Sequence, residues 1–430
     1  MVTQVEICEK QSSRTGEKYT KILFDNGLTA FIIHKNHTSA YATLAVNFGS
    51  CDTKYASADG KIKSFPPGTA HFLEHRMFET KEGDAMERYA LFGGDANAYT
   101  AGDRTCYYYI SSDMFYENLR VLIDHVTNAH ITKKSVEKEK AVIIQEIKMY
   151  DDNPYWVVRY NMMKCLYGES PISEDPAGSV ESVKNISREI LEDCRRTVYN
   201  LHNMALCVCG NIETDSFIAQ VNDLFSAAPE AEYWRVDDIP DAKIVSAYFQ
   251  EHMDVSLPVY SVGIKLCAPS ETEGTKEFAA VEIIMNLLFG KSAAFYSENY
   301  EAGIFERLSC GYQTMRKAFF AEIYGSARNP AVLFDKVKEH IKKVKAVGFD
   351  ARDFETAKKS LYADTICEYD SVENIADTFV SYYFENDDMF DYPDIVANIT
   401  LEYTEECLKR LFDCDNICLS VILPKKEEHS

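Results

Sequence analysis

The sequence predicts an α+β fold in two lobes of similar build, each a mostly antiparallel sheet packed with helices. Three observations lead there. At 430 residues the chain exceeds one ordinary hydrophobic core and is sized for two or three domains. Its 46% hydrophobic and 26% charged content belongs to an ordered chain, with no low-complexity or disordered tract. An order of strands, a loop, a helix, further strands and then helices runs through the first half and recurs in outline from residue 258 onward, with only faint residue identity between halves.

The elements follow from local pattern. Residues 19–24 and 28–33 flank Asp25-Asn26-Gly27, and Asn-Gly between such runs predicts a hairpin in the left-handed turn that matches strand twist. Residues 41–50 read as the next strand, and a loop containing Lys, Gly and Pro leads to a short helix over 68–78. A helix over 83–91 ends at Gly93-Gly94, and strands over 97–100 and 104–110 follow. Helices then cover 113–129 and 133–150, the second stopping before Asp151-Asp152-Asn153-Pro154 because proline disfavours helix in the residue before it.

Residues 227–240 are acidic and carry prolines, which reads as a linker. It divides the chain into an N-terminal lobe over 1–228 and a C-terminal lobe over 241–430. The second lobe opens on a strand over 258–267 and continues through the loop Ala268-Pro269-Ser270 to a helix over 275–289. Strands near Gly311 and over 319–324 follow, then helices from Pro330.

Composition narrows the function classes. A net charge of −23 and the lack of a strongly basic stretch argue against nucleic acid as partner. The acidity fits basic or neutral peptides, and equally well a surface that keeps the protein dispersed. Thirteen cysteines are scattered without C-x-x-C spacing, which fits a reducing compartment. Cys207 and Cys209 lie two apart on a strand, a spacing that favours core packing. The start carries no basic region followed by an apolar one, and no run of about eighteen apolar residues is found, so no membrane partner and a cytoplasmic location are expected.

The chemistry concentrates in the helix at 68–78. His71 and His75 are four positions apart, which places both imidazoles on one helix face, and Glu74 shares that face within reach of a water bound between them. Catalytic zinc takes three protein ligands and keeps one position open. The third ligand must come from elsewhere, and the amphipathic helix at 133–150 offers both Glu139 and Glu146, beside an apolar stripe of Val142, Ile143 and Ile147. Spacing alone does not choose between the two glutamates. His34, His37, His125, His130, His202, His252, His340 and His429 belong to no ligand motif and read as packing or surface residues.

H-x-x-E-H, read from His71 to His75, inverts the H-E-x-x-H of most zinc peptidases. With E-x-E-K-x-x-I-x-Q-E-I at 137–147, it resembles the pitrilysin, insulinase and mitochondrial processing peptidase family of zinc endopeptidases. Glu146 stands 146 − 75 = 71 positions after His75. The resemblance implies Zn2+ held by His71, His75 and Glu146, with Glu139 as a supporting glutamate and Glu74 as general base. It also implies that the strand carrying Asn97 and Ala98 edges the substrate cleft, where an extended peptide adds to the sheet. Read without the family, Asn97 is equally a turn residue beside two glycines. The segments 175–183 and 203–211 resemble the family's loop into a helix and its last core strand, and supply no catalytic group.

One stretch departs from the family. Many members carry R-x-x-x-G-L-x-Y in the second lobe, whose Arg and Tyr reach the substrate. Here Asn299 and Glu306 hold those places, with Arg307 and Tyr312 nearby but out of register. Residues 290–296 and the run Met149-Tyr150-Asp151-Asp152-Asn153-Pro154 resemble a bacterial branch in which a zinc-bearing chain pairs with a metal-free relative. The expectation is a zinc endopeptidase acting on peptides or small unfolded segments, as the catalytic subunit of a heterodimer or else as a homodimer. The alternatives are a catalytically silent scaffold or peptide-binding subunit, and a dedicated leader-peptide maturation peptidase.

Overall fold

The first hairpin forms, on a longer loop than the Asn-Gly signal predicts. Strands β1 (Val5–Gln11), β2 (Lys18–Phe24) and β3 (Thr29–His34) run antiparallel in turn. Between β2 and β3 only Gly27 is left-handed, at φ +94°, and the Asn26 side chain accepts from the Leu28 N–H. Asn26 thus serves as a side-chain turn former. The computed structural model describes residues 5–225, 232–237, 239–267, 269 and 273–425.

With β4 (Ala40–Val46), β5 (Asp95–Thr100), β6 (Thr105–Ser111) and β7 (Met204–Gly210), these strands make a seven-stranded sheet in the order β1-β2-β3-β7-β4-β6-β5. All pairings are antiparallel except β3 with β7. The central strands β3, β7 and β4 are almost wholly buried and mostly apolar because both faces are covered. One face carries Ile32, Leu44 and Val208 into the main core, and the other carries Phe31, Tyr41, Cys207 and Cys209 into a second cluster with Ile375 and Phe379. The two cysteines are core packing residues. Strand β5 lies at the sheet edge, paired only with β6.

A second sheet of five strands comprises β8 (Tyr248–Met253), β9 (Val259–Lys265), β10 (Arg307–Met315), β11 (Ala318–Ser326) and β12 (Ile417–Pro424). Its order is β8-β12-β9-β11-β10, with β8 and β12 parallel and the rest antiparallel. Strands β3 to β7 show the same plan: first beside fifth, in parallel, then second, fourth and third. The repeat suggested by element order is therefore real at the level of topology, although sequence identity between halves is faint.

The two compact units do not follow chain order. One comprises 1–147, 175–237 and 365–393, the other 148–174, 238–364 and 394–430. Each takes a helix from the opposite half, which no continuous boundary describes. The helix Val372–Phe384 buries Ile375, Ala376 and Phe379 on the first sheet. The helix Pro154–Tyr167 lies so close to the second sheet that a Cβ at Gly263 would stand 2.4 Å from the Met162 sulfur. Of the expected linker, residues 227–231 and 238 lie outside the described residues, as do 268 and 270 of the expected loop. The remainder is not all linker, since Tyr233–Arg235 pairs antiparallel with Lys54–Ser57.

The stretch Gly274–Glu301 has the length and mean hydropathy of a membrane span, although Glu282 and Lys291 keep it from being an unbroken apolar run. Half of it is buried, and its first helix ends at Phe289 after placing Val281, Ile284 and Leu288 in the second unit's core.

Candidate metal centre

Two helices bring the predicted ligands, all of them residues of the first unit, together. Helix α1 (Thr69–Met77) buries Phe72, Leu73 and Met77 in the main core, leaving His71 and His75 on its other side, each partly exposed. Helix α2 (Lys133–Asp151) buries Val136, Ile143 and Ile147. Val142, expected in that stripe, is 48% exposed, because the 136–143–147 spacing defines the buried face.

Residues 175–178 have a role that sequence reasoning did not find. Gly68 starts α1 at φ +87°, and a Cβ there would stand 2.5 Å from the Ala177 carbonyl oxygen. Gly178, at φ +75°, would put a Cβ 2.6 Å from the Pro67 carbonyl oxygen. Two glycines thus let two backbones touch and fix where α1 begins.

His71 Nε2 and His75 Nε2 each stand 3.8 Å from an oxygen of Glu146, and the three donor atoms lie within 4.8 Å of one another. In a tetrahedral site with metal–ligand distances near 2.0–2.1 Å, donor atoms stand about 3.4 Å apart, so the trio needs only a small contraction to close on an ion. No other group of at least three His, Cys, Asp or Glu donors is this close among the described residues. Two imidazoles and one carboxylate suit zinc with an open fourth position.

Glu139 does not join the trio. Its Oε1 lies 3.1 Å from His75 Nδ1 and its Oε2 accepts from Arg76 Nη1 at 2.7 Å. A proton held on Nδ1 leaves the Nε2 lone pair of His75 facing Glu146. The choice left open between the two glutamates is thereby made by position on α2. Arg76, which the sequence reading passed over, is 6% exposed and packs its guanidinium on Glu139 and Glu79. Its adjacency to His75 was the available signal. His71 Nδ1 is buried without a hydrogen-bond partner.

The electrostatics follow from burial and these partners. Burial drives the His71 pKa down to about 3, helped by the neighbouring His75, so His71 is neutral across the physiological range. Burial also opposes charge on His75, but the hydrogen bond to Glu139 and the nearby Glu74 and Glu146 outweigh it and raise its pKa. Burial acts to raise Glu139, yet His75 and Arg76 hold it below the usual carboxylate range. Glu74 is 9% exposed, and burial raises its pKa against a hydrogen bond donated by the Thr100 hydroxyl to Oε2 at 2.6 Å.

Asn97 and Ala98 sit on edge strand β5, on opposite faces. Ala96 and Ala98 pack toward the main core and Thr100 reaches Glu74, whereas Tyr99 enters the cluster on the far face with its hydroxyl donating to Asp377. By strand alternation Asn97 shares the Tyr99 face, away from Glu74. Its side chain is exposed and accepts from the Ala98 N–H at 2.8 Å. In the second unit, Asn299 is buried and donates to the Phe295 carbonyl of its own helix, and Tyr312 stacks on Phe278.

Comparison with known proteins gives a consistent result. Residues 30–177, which contain all four of His71, Glu74, His75 and Glu146, match the profile described as Insulinase (Peptidase family M16). Residues 185–361 match the profile described as Peptidase M16 inactive domain. The protein named uncharacterized zinc protease YmfH from Bacillus subtilis is 31% identical over 99% of this chain and 100% of its own length. A protein of Mycobacterium tuberculosis, also named an uncharacterized zinc protease, is 30% identical over 46% of this chain and 48% of its own. The crystal structure of an M16-like peptidase from Alicyclobacillus acidocaldarius superposes with a TM-score of 0.88 at 28% identity, covering 99% of each chain. Pitrilysin shares the fold at a TM-score of 0.76 and 17% identity, with this chain spanning 47% of it.

Proposed function

This chain belongs to the insulinase (M16) family of peptidases, and from that premise we propose that it is a zinc endopeptidase cleaving peptides or small unfolded segments. The observation that carries the reading is the convergence of His71, His75 and Glu146 from two helices, with Glu74 on the turn between the histidines. Zinc held by these three would supply Lewis acidity and bring the pKa of a bound water down to about 7. Glu74 is the general base: Thr100 occupies its Oε2, and its Oε1 takes the proton of the attacking water and passes it to the leaving amine. Glu139 and Arg76 hold His75 in the tautomer that presents Nε2. An extended peptide is held along the open edge of β5, by backbone more than by side chain.

The second lobe supports a paired arrangement. Asn299 spends its carboxamide within its own helix, so the basic and aromatic groups expected to reach the substrate come from a second, homologous subunit. Equal turnover by the purified chain alone and by any reconstituted pair would rule this out.

A catalytically silent, peptide-binding subunit is the second reading, favoured by the match of 185–361 to the inactive-domain profile. That match falls on the lobe without the histidines, and a silent subunit has no use for a base beside a complete ligand trio. Metal analysis together with hydrolysis of a quenched peptide library tests both. One zinc per chain with hydrolysis stopped by a chelator and restored by zinc is the expected result. Peptide binding with neither zinc nor hydrolysis, in the chain alone and in the pair, leaves the silent subunit standing.

A further inference from the structure

We propose that Thr100 is a positioning residue that transmits peptide addition on β5 to the orientation of Glu74; this rests on the peptidase reading above. Thr100 is the last residue of β5, and its hydroxyl donates to Glu74 Oε2 at 2.6 Å. The backbone of the same residue faces the other way. Ala101 N–H donates to the Arg104 carbonyl at 2.8 Å, which makes 101 and 104 a hydrogen-bonded pair where the β5 and β6 strands turn. Antiparallel ladders alternate, so the pairs Thr100 with Thr105, Ala98 with Tyr107 and Ala96 with Tyr109 are the non-bonded ones. The peptide groups of Ala96, Ala98 and Thr100 therefore point out to the free edge, where a substrate strand would meet them. The capture of the Ala98 N–H by the Asn97 side chain shows the same outward direction independently.

One residue thus offers its backbone to the substrate and its side chain to the base. Threonine is branched at Cβ and stiff at χ1, so its hydroxyl direction follows its backbone. Pairing a peptide with the edge fixes the Thr100 backbone, which fixes the hydroxyl, which holds Oε2 and turns Oε1 of Glu74 to its task. Without the hydroxyl, the carboxylate on α1 loses the contact that orders it, while the metal ligands and the edge are untouched. The loss should appear in turnover and not in binding.

The test compares Thr100→Val, which removes the hydroxyl at nearly constant shape, with Thr100→Ser, which restores it. The readouts are zinc content, thermal unfolding, kcat and KM on a quenched peptide, and the affinity of the metal-stripped protein for that peptide by fluorescence anisotropy. For Thr100→Val we expect unchanged zinc, peptide affinity and KM, with kcat lowered about 10- to 100-fold, the range of a hydrogen bond to a charged group. Thr100→Ser keeps the hydroxyl without the branch that fixes it, so its kcat should fall between those of Thr100→Val and wild type. Undiminished kcat in Thr100→Val overturns the proposal. So does a fall in zinc content or in metal-free peptide affinity matching the fall in activity, since Thr100 would then only support the fold. A wild-type chain that binds peptide but takes up no zinc overturns the functional reading itself, and the positioning role with it.

Discussion

Glu139 grips two consecutive residues of the metal helix, with one carboxylate oxygen 3.1 Å from His75 Nδ1 and the other accepting from Arg76 at 2.7 Å. It stands seven residues before Glu146 on α2, so one helix carries both a candidate ligand and the group that orients another. Glu139→Gln keeps the shape and loses the charge. Zinc affinity should fall about 10- to 100-fold, in the range seen when such outer partners are removed, with the fold retained. Competition against a chromophoric chelator measures this, and unchanged affinity would show that His75 needs no such partner.

Glu74→Gln and His71→Ala separate the base from the ligands. The first should retain one zinc per chain and lose about 100- to 10,000-fold in turnover, the range for general acid–base catalysis. The second should lose zinc and turnover together. Substantial turnover in Glu74→Gln assigns the proton transfer to another group.

The two histidines respond to pH in opposite ways. In the metal-free protein the raised pKa of His75 means that zinc must displace its proton wherever pH lies below that value, whereas His71, at about 3, holds none in the same range. Apparent zinc affinity should therefore fall about tenfold per pH unit between about pH 6.5 and 5, a one-proton slope. A two-proton slope in a zinc titration series would contradict the neutral His71. The effects on stability without metal follow the same signs. The raised His75 value stabilises the fold fully below about pH 6.5, and this is lost as pH rises through the folded value. The depressed His71 value costs stability as pH falls from about 6.5 toward 3, because only the unfolded chain takes the proton there.

Gly68→Ala strikes the start of the metal helix without touching a ligand. It forces a side chain into a left-handed position, at a cost of roughly 1–2 kcal/mol, and brings a Cβ to 2.5 Å from the Ala177 carbonyl. The denaturant midpoint should drop and zinc affinity weaken as α1 shifts. A variant of wild-type stability would mean that the Pro67–Gly68 and Ala177–Gly178 backbones can separate freely.

Much of the site was legible because it is local. His71, Glu74 and His75 share a face as soon as that stretch is helical, and no tertiary information is needed. The hairpin and the two-lobed repeat were legible from turn residues and element order, whereas the edge position of β5 was implied only by the family resemblance. Thr100 and Gly68 were not, because their importance lies in what they touch across the chain, and a threonine ending a strand or a glycine before a helix is unremarkable by itself. The swapped helices Pro154–Tyr167 and Val372–Phe384 were equally hidden, since an apolar helical face states that it will be buried and not against which sheet.

By itself, then, the sequence determined the periodicities, the turn chemistry and the spacing that aligns two imidazoles, all of which act over a few residues. Only the tertiary structure decided which glutamate of α2 meets the histidines and which one orients His75. It also decided that the edge strand holds the Glu74 carboxylate through Thr100 and that each lobe is completed by a helix from the other half. Those outcomes depend on which apolar faces bury one another, and burial is settled between segments far apart in the chain.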